Sequence, residues 1–143
     1  MKVAGKYQLW ILGAAIVLLD QLTKLWGRTS LTNIDILPFF SLTLSTNTGV
    51  AFGFFKGSSW LFFFIGLIVV GLIMFYNDKL FIKREKVWWT IITAGIIGNL
   101  IDRLLFQHVI DFINFHFWPI FNIADAALSI GVLALLIGSF KSS

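Results

Sequence analysis

The sequence predicts an all-α membrane protein: four transmembrane helices with a small extracytoplasmic β-sheet between helices 1 and 2. Three observations predict this fold class. Of the 143 residues, 58% are hydrophobic and only 13% are charged, which is more apolar surface than a soluble domain of this size can bury. Four apolar runs approach the ~20 residues needed to cross a ~30 Å hydrocarbon core. A stretch after the first run alternates apolar and polar residues, as a strand does.

The four apolar runs cover roughly residues 7–26, 60–76, 87–106 and 121–140. The first run follows two lysines, as a secretory signal peptide would, but no small-x-small cleavage site comes after it. Asp20, Gln21 and Lys24 also interrupt it, so we expect a retained helix. No repeat or linker divides the chain, and we predict one integral-membrane domain over residues 1–143.

The distribution of positive charge predicts the orientation of the helices. Most lysines and arginines lie on one side of the runs: Lys2, Lys6, Lys79, Lys83, Arg84, Lys86 and Lys141. Only Arg28 and Lys56 lie in the loops opposite. By the positive-inside rule, both termini and the loop 77–86 face the cytoplasm. Because the net charge of +4 follows topology, it does not indicate a nucleic-acid partner.

The outward-facing region of about residues 28–58 has its own character. Phe40 to Ser45 alternates apolar and polar residues, and Asn33 and Pro38 are turn or edge signals beside it. We therefore expect a small sheet on the outer membrane surface.

The polar residues of the runs are predicted to converge at the outer side. Asp20 lies six residues before the outer end of the first run, about 9 Å at 1.5 Å per residue. The outer ends of the third and fourth runs hold the others: Asn99, Asp102, Arg103, Asn122 and Asp125. Asp111 follows the third run directly. Ionisable residues inside a membrane are functional-site candidates by default.

Asp111 and Asp125 suggest hydrolytic chemistry. They bound a stretch that holds no other charged residue. Two carboxyl groups about 3 Å apart share one proton at neutral pH. The ionised group then draws a proton from water as it attacks a carbonyl, and the protonated group polarises that carbonyl and supplies the leaving nitrogen.

Other hydrolytic chemistries lack their residues. The chain has no cysteine, its two histidines are His108 and His116, and no H-E-x-x-H or G-x-S-x-G occurs. We therefore predict no metal site and no cofactor.

Structural roles remain open alternatives at this stage. Asp111 and Asp125 could form ion pairs with Arg103 or Lys24, and Arg103 could bridge Asp102 or another acid. Three further pairs have equally simple structural readings: Asp20 with Lys24 as a helix pair whose lysine reaches outward, Asn99 with Asn122 as hydrogen bonds between helices, and Gly95 with Gly98 as packing positions.

Four sequence blocks carry a resemblance to a known family. They are D-Q-x-T-K at residues 20–24, N-x-G-x-A-F at 47–52, G-N-x-x-D-R at 98–103 with V-x-D-F at 109–112, and F-N-x-A-D at 121–125. Together, in this order, they resemble lipoprotein signal peptidase, the signal peptidase II family. Three positions depart from its pattern: Ala94 stands where glycine is usual, Ile96 where alanine is usual, and Gln107 where glycine is common. Bulkier residues there could narrow the substrate groove.

The resemblance implies an aspartic endopeptidase with Asp111 and Asp125 as the catalytic pair. It also implies a shell that binds substrate or supports the pair: Asp20, Lys24, Asn47, Gly49, Asn99, Arg103 and Asn122. The implied substrate is a bacterial prolipoprotein carrying a diacylglyceryl group, cleaved just before its lipidated cysteine. The implied setting is the bacterial cytoplasmic (inner) membrane, with the site near the outer leaflet and the sheet as a cradle. Membrane lipids and globomycin-type inhibitors are implied partners, and we expect a monomer.

Two other functions are compatible with intramembrane acids. An ion-coupled transporter could use Asp20, Asp111 and Asp125 as a proton relay, but it predicts titratable groups spread through the bilayer and inverted repeats. A non-catalytic assembly subunit would pair its carboxylates with Arg103 and Lys24.

Overall fold

The computed structural model describes residues 5–49, 55, 57–76 and 85–140. Within this part of the chain, four helices are long and apolar enough to cross a membrane: α1 (Lys6–Ser30), α2 (Ser59–Tyr76), α3 (Lys86–Phe106) and α4 (Ile123–Phe140). Large apolar side chains such as Leu18, Ile68 and Leu133 are exposed on their surfaces, as lipid-facing residues would be. The prediction of a membrane protein with four apolar helices is confirmed.

Two helix ends differ from the predicted boundaries for local reasons. α1 continues through Ser30, so residues 28–30, assigned to the β region, are helical. The Thr29 hydroxyl donates to the Leu25 carbonyl in this added turn. α4 begins at Ile123 because Asn122 is its N-cap, accepting a hydrogen bond from the backbone N–H of Asp125.

A three-stranded antiparallel sheet has the order β1 (Ile34–Leu37), β2 (Phe40–Asn47), β3 (Val109–Asn114). The strand predicted around Phe40 to Ser45 is confirmed as β2. The sheet is not confined to the segment between helices 1 and 2, however, because β3 comes from the connection between α3 and α4, which we had predicted to be a loop. In the pairing of β2 with β3, Ser45 lies opposite Asp111.

α3 is the central helix and packs against the other three. Glycine makes the close approach possible: a Cβ atom on Gly95 would lie 2.5 Å from the Ala124 carbonyl oxygen, and one on Gly98 would lie 2.5 Å from Asp20 Oδ2. The packing role predicted for both glycines is confirmed. Polar side chains of α1, α3 and α4 therefore meet at the end of the bundle that carries the sheet.

Some residues used in the sequence arguments lie outside the described part of the chain. They are Lys2, Lys56, Lys79, Lys83, Arg84 and Lys141, together with Val50, Ala51 and Phe52 of the second block. The orientation of the helices in the membrane stays a prediction.

Candidate active site

Lys24 lies at the centre of a buried group of charges. Its ammonium is 2.8 Å from Asp20 Oδ2 and 3.3 Å from Asp102 Oδ2, and it donates to Asn99 Oδ1 at 3.0 Å. These three acceptors match the three protons of an ammonium group. Asp20, Lys24 and Asp102, which we call the ion-paired cluster, are all fully buried. The helix pair of Asp20 and Lys24 is thus confirmed, whereas the outward-reaching lysine was wrong.

The acids of the ion-paired cluster also accept hydrogen bonds from backbone N–H groups of other elements. Asp20 Oδ1 accepts from the N–H of Ala124 at 2.9 Å, which satisfies a donor in the first turn of α4. Asp102 Oδ2 accepts from the N–H of Ile110 at 3.0 Å and so joins β3 to α3. Gln21 adds hydrogen bonds to both acids. Asp102 and Gln21 were not predicted as site residues, although both belong to the sequence blocks that carry the resemblance.

Asp111 lies on β3 with 2% of its surface exposed. Asn122 Nδ2 donates to its Oδ1 at 2.7 Å, and Asn47 Nδ2 donates to its Oδ2 at 3.3 Å. Burial first and the charge of Asp125 second raise the pKa of Asp111 to about 7, against the lowering effects of the two asparagines and Lys24. Asp111 therefore exchanges its proton near neutral pH.

Asp125 lies in the first turn of α4. Its Oδ1 accepts from Asn99 Nδ2 at 2.8 Å, and its Oδ2 accepts from the backbone N–H of Asn122 at 3.3 Å. The second bond closes a reciprocal capping box with Asn122. Asn122 consequently donates to both acids, to Asp111 from its side chain and to Asp125 from its backbone. We refer to Asp111 and Asp125 as the acid pair.

The acid pair forms no ion pair among the described residues, where both salt bridges involve Lys24 with Asp20 or Asp102. The alternative of ion pairs to Arg103 or Lys24 was therefore wrong for Asp111 and Asp125. Asn99 and Asn122 do join different elements, as predicted, and they also contact the acid pair directly.

Arg103 does not bridge an acid either. Its guanidinium donates to the Gly49 carbonyl at 3.1 Å and lies 5.8 Å from the centre of the Phe62 ring, while its buried Nε has no hydrogen-bond partner. The Gly49 N–H donates to Asn47 Oδ1 at 2.9 Å. Arg103 thus anchors the backbone that follows β2, next to the asparagine that reaches Asp111.

A groove of about 650 Å³ lies between α2, α3 and α4. Its polar end is formed by Asn47, Asn99, Arg103 and Asp125. Its remaining lining is mainly apolar and includes Phe62, Ile65, Val69, Leu100 and Leu128. Within the part of the chain that the structure describes, Asp125 lines this groove and Asp111 does not.

Two of the departures from the family pattern, Ile96 and Gln107, have different consequences. Ile96 lines the groove, where its bulk reduces the space. Gln107 is exposed and lies outside the lining, so the prediction that it narrows the groove was wrong. It ends α3 in a left-handed conformation with φ 60°, which glycine adopts without the steric cost of a Cβ atom.

The nine residues predicted as site and shell therefore lie together at one end of the bundle, joined by hydrogen bonds and ion pairs. Among the described residues, no group of three His, Asp or Glu side chains has the geometry to hold a metal ion. The arrangement offers one buried and one half-buried carboxyl group, amide donors to each of them and an apolar groove beside the half-buried one.

Comparison with known proteins agrees with this geometry. The family model described as signal peptidase (SPase) II matches residues 12–141. The chain belongs to the signal peptidase II family. This family comprises proteases that process the signal peptides of lipoprotein precursors in membranes.

Individual relatives cover nearly the whole chain. A lipoprotein signal peptidase of Thermodesulfovibrio yellowstonii is 39% identical over 137 residues, covering 88% of this chain and 90% of that protein. One from Synechocystis sp. is 40% identical over 139 residues, covering 92% and 86%. Two bacterial membrane enzymes solved by the in meso method, each 31% identical, superpose with TM-scores of 0.89 and 0.85; the first covers 95% of this chain and 89% of its own, the second 96% of each.

Proposed function

We propose that this member of the signal peptidase II family is an aspartic endopeptidase that acts on bacterial prolipoproteins bearing a diacylglyceryl group. It cleaves the bond on the N-terminal side of the lipidated cysteine. The observation that carries the proposal is the double contact of Asn122, which donates to Asp111 and to Asp125. One residue thereby holds a buried acid, Asp111, and a half-buried one, Asp125, that lack a cation of their own among the described residues.

The acid pair supplies both proton transfers of amide hydrolysis. The ionised carboxylate takes a proton from water as the water oxygen bonds to the scissile carbonyl carbon. The protonated carboxyl group hydrogen-bonds the carbonyl oxygen and then gives its proton to the leaving nitrogen as the C–N bond breaks. The products are a new carboxyl terminus on the signal peptide and a free amino group on the lipidated cysteine.

The groove suits the remainder of such a substrate. Its apolar walls accept the apolar end of a signal peptide, and its polar end brings the scissile bond to Asp125. The unpartnered Nε of Arg103 lies at this end and supplies a donor for a substrate carbonyl. The acyl chains remain in the outer leaflet of the cytoplasmic (inner) membrane, with both termini of the enzyme in the cytoplasm and the sheet as a cradle over the substrate. A globomycin-type inhibitor would occupy the same groove of a monomeric enzyme.

The proton-relay alternative predicts acids spread through the depth of the bundle. In the described residues, the three buried acids Asp20, Asp102 and Asp111 instead gather with the half-buried Asp125 at the end that carries the sheet. This grouping favours a single reaction site over a pathway.

The test is cleavage of a lipidated precursor by purified protein in detergent. Asp111→Asn and Asp125→Asn should each lower the rate by roughly 10²–10⁴-fold, because each removes one of the two proton transfers. Asp35→Asn is a matched control, since Asp35 is an exposed acid on β1, and it should cleave like the wild type. Near-normal cleavage by either acid-pair variant would exclude the mechanism, and loss of wild-type cleavage with a chelator would point to a metal instead.

A further inference from the structure

The three asparagines around the acid pair share one arrangement. In each, the side-chain oxygen accepts from a group that can only donate: Asn47 from the Gly49 N–H, Asn99 from the Lys24 ammonium and Asn122 from the Asp125 N–H. An amide held by its oxygen must turn its NH₂ group the other way. Each of these NH₂ groups donates to a carboxyl oxygen of the acid pair.

Asn99 differs from the other two because a side chain fixes it. Asn47 and Asn122 are oriented by nearby backbone N–H groups, whereas Lys24 reaches Asn99 from α1, 75 residues away in sequence. The Lys24 ammonium is fully buried and has no acceptor role. Asn99 therefore presents its oxygen to Lys24 and its NH₂ group to Asp125, at 2.8 Å. A second donor to the Asn99 oxygen, Asn122 Nδ2, is longer at 3.2 Å.

The two acids differ in what surrounds them. Asp125 accepts from a backbone N–H at the N-terminus of α4 as well as from Asn99, and a donated hydrogen bond and the positive end of a helix are both stronger for a carboxylate than for a neutral carboxyl group. Asp111 accepts only from side-chain amides in the described structure. The hydrogen bond from Asn99 is thus one of the two that the Asp125 carboxyl group accepts in the described structure.

We propose that Lys24 is a positioning residue that orients Asn99 so that its N–H faces Asp125, and thereby keeps Asp125 as the proton acceptor of the pair. Asp111 is then the group that holds the shared proton. The change that this inference predicts in the cleavage kinetics rests on the proposed function. The change that it predicts in the ionisation of Asp125 does not.

Several charged groups face Asp125 and must be controlled. They are Asp20 and Lys24 on α1, Arg103 on α3 and Asp111 on β3. The groove lining from α2 is uncharged. Replacing Lys24 alone would also remove a positive charge, so its effect on Asp125 could be purely electrostatic. Lys24→Met combined with Asp102→Asn avoids this, because one positive and one negative charge leave the same cluster and the net charge is kept.

The experiment compares pH–rate profiles of the wild type, Lys24→Met/Asp102→Asn and Asn99→Ala, with Asp102→Asn as the control for lost charge. The balanced double variant and Asn99→Ala should each lower kcat about tenfold and move the acid limb up by about one pH unit, with little change in KM. Asp102→Asn alone keeps Lys24 on Asn99 and should not move that limb upward. Adding Asn99→Ala to the double variant should cause no further shift, because Lys24 acts through Asn99.

A ¹³C NMR titration of the aspartate carboxyl groups provides a readout independent of cleavage. The Asp125 signal, assigned by its loss in Asp125→Asn, should become protonated at higher pH in Asn99→Ala and in the double variant than in the wild type. An unchanged titration in either variant would overturn the proposal. If the double variant does not accumulate, Asn99→Ala decides alone, because it leaves both ion pairs of Lys24 in place. If the wild type cleaves no precursor, the proposed function fails while the titration still decides this inference.

Discussion

The ion-paired cluster and the acid pair are two groups of carboxylates that lie side by side and have different partners. Asp20 and Asp102 share Lys24 at 2.8 and 3.3 Å. Asp111 and Asp125 have amide donors instead, and no salt bridge in the described structure. The first group is also bonded to backbone that it holds in place, whereas the second borders a groove through Asp125.

This difference separates acids that stabilise the fold from acids available for chemistry. The carboxylates of Asp20 and Asp102 are taken up by the Lys24 ammonium and by backbone N–H groups. Neutral amide donors hold a carboxyl group in place, but they add no positive charge. The pKa of that group therefore depends on its burial and on the charge of a neighbouring acid. The proximity of the two groups matters as well, because Lys24 orients one of the amides on which the acid pair depends.

The largest expected effect is on the ion-paired cluster. Lys24→Met leaves Asp20 and Asp102 buried without their cation, which should lower the free energy of unfolding by roughly 3–5 kcal/mol. Thermal unfolding in detergent measures this loss. Lys86→Met removes a lysine at the opposite end of α3 and serves as the matched control. A Lys24→Met protein as stable as the wild type would mean that the two groups do not differ in the way described.

The acid pair should respond in the opposite sense. Asp111→Asn removes a buried carboxylate and should make the protein more stable than the wild type at pH 8. Between pH 5 and pH 8, the free energy of unfolding of the variant should rise relative to that of the wild type by on the order of 2 kcal/mol. The folded-state pKa of Asp111, about 7, lies above its unfolded value. The wild type therefore loses stability as pH rises between those two values, and an asparagine does not titrate. Equal pH dependence of thermal unfolding in variant and wild type would contradict this.

The pH dependence of cleavage sharpens the comparison further. The proposed mechanism requires one protonated carboxyl group, and Asp111, with a pKa of about 7, loses its proton as pH rises through that value. We expect kcat/KM to fall about tenfold per pH unit above that point. A profile that stays flat to pH 9 would show that Asp111 does not hold the proton.

A change outside both groups gives the baseline for these effects. Gln107→Gly relieves a left-handed backbone position at the end of α3 and should raise stability by about 1 kcal/mol. Cleavage should be unaffected, because Gln107 does not line the groove. Gly71→Ala, at a helical position with no atom within 4 Å of the added Cβ, should also raise stability, by roughly 0.5–1 kcal/mol, because glycine inside a helix loses more backbone entropy than alanine.

The sequence predicted the helices well because each is a single long apolar run. It predicted β2 from alternating residues but missed β3, because Val109, Ile110, Asp111 and Phe112 are all buried and leave no alternation to detect. A strand covered on both faces cannot be told from an apolar loop by periodicity.

Depth in the membrane was the most informative property for the site. Residues of three helices were predicted at one level from topology alone, and they do meet. The partners could not be predicted, because the choice of Lys24 between Asp102 and the acid pair depends on side-chain reach across 75 or more residues of sequence. The i, i+4 pair with Asp20 was the one contact that spacing could supply.

The contact between Asp20 of the first helix and the Ala124 N–H of the last has a consequence for biogenesis. Asp125 sits one residue beyond that contact, and Asn122, which joins it to Asp111, lies two residues before. A nascent chain that has inserted three helices holds Lys24, Asp102 and Asp111 but neither Asn122 nor Asp125. The acid pair and the asparagine that joins its two members are therefore complete only after the start of α4 has been synthesised.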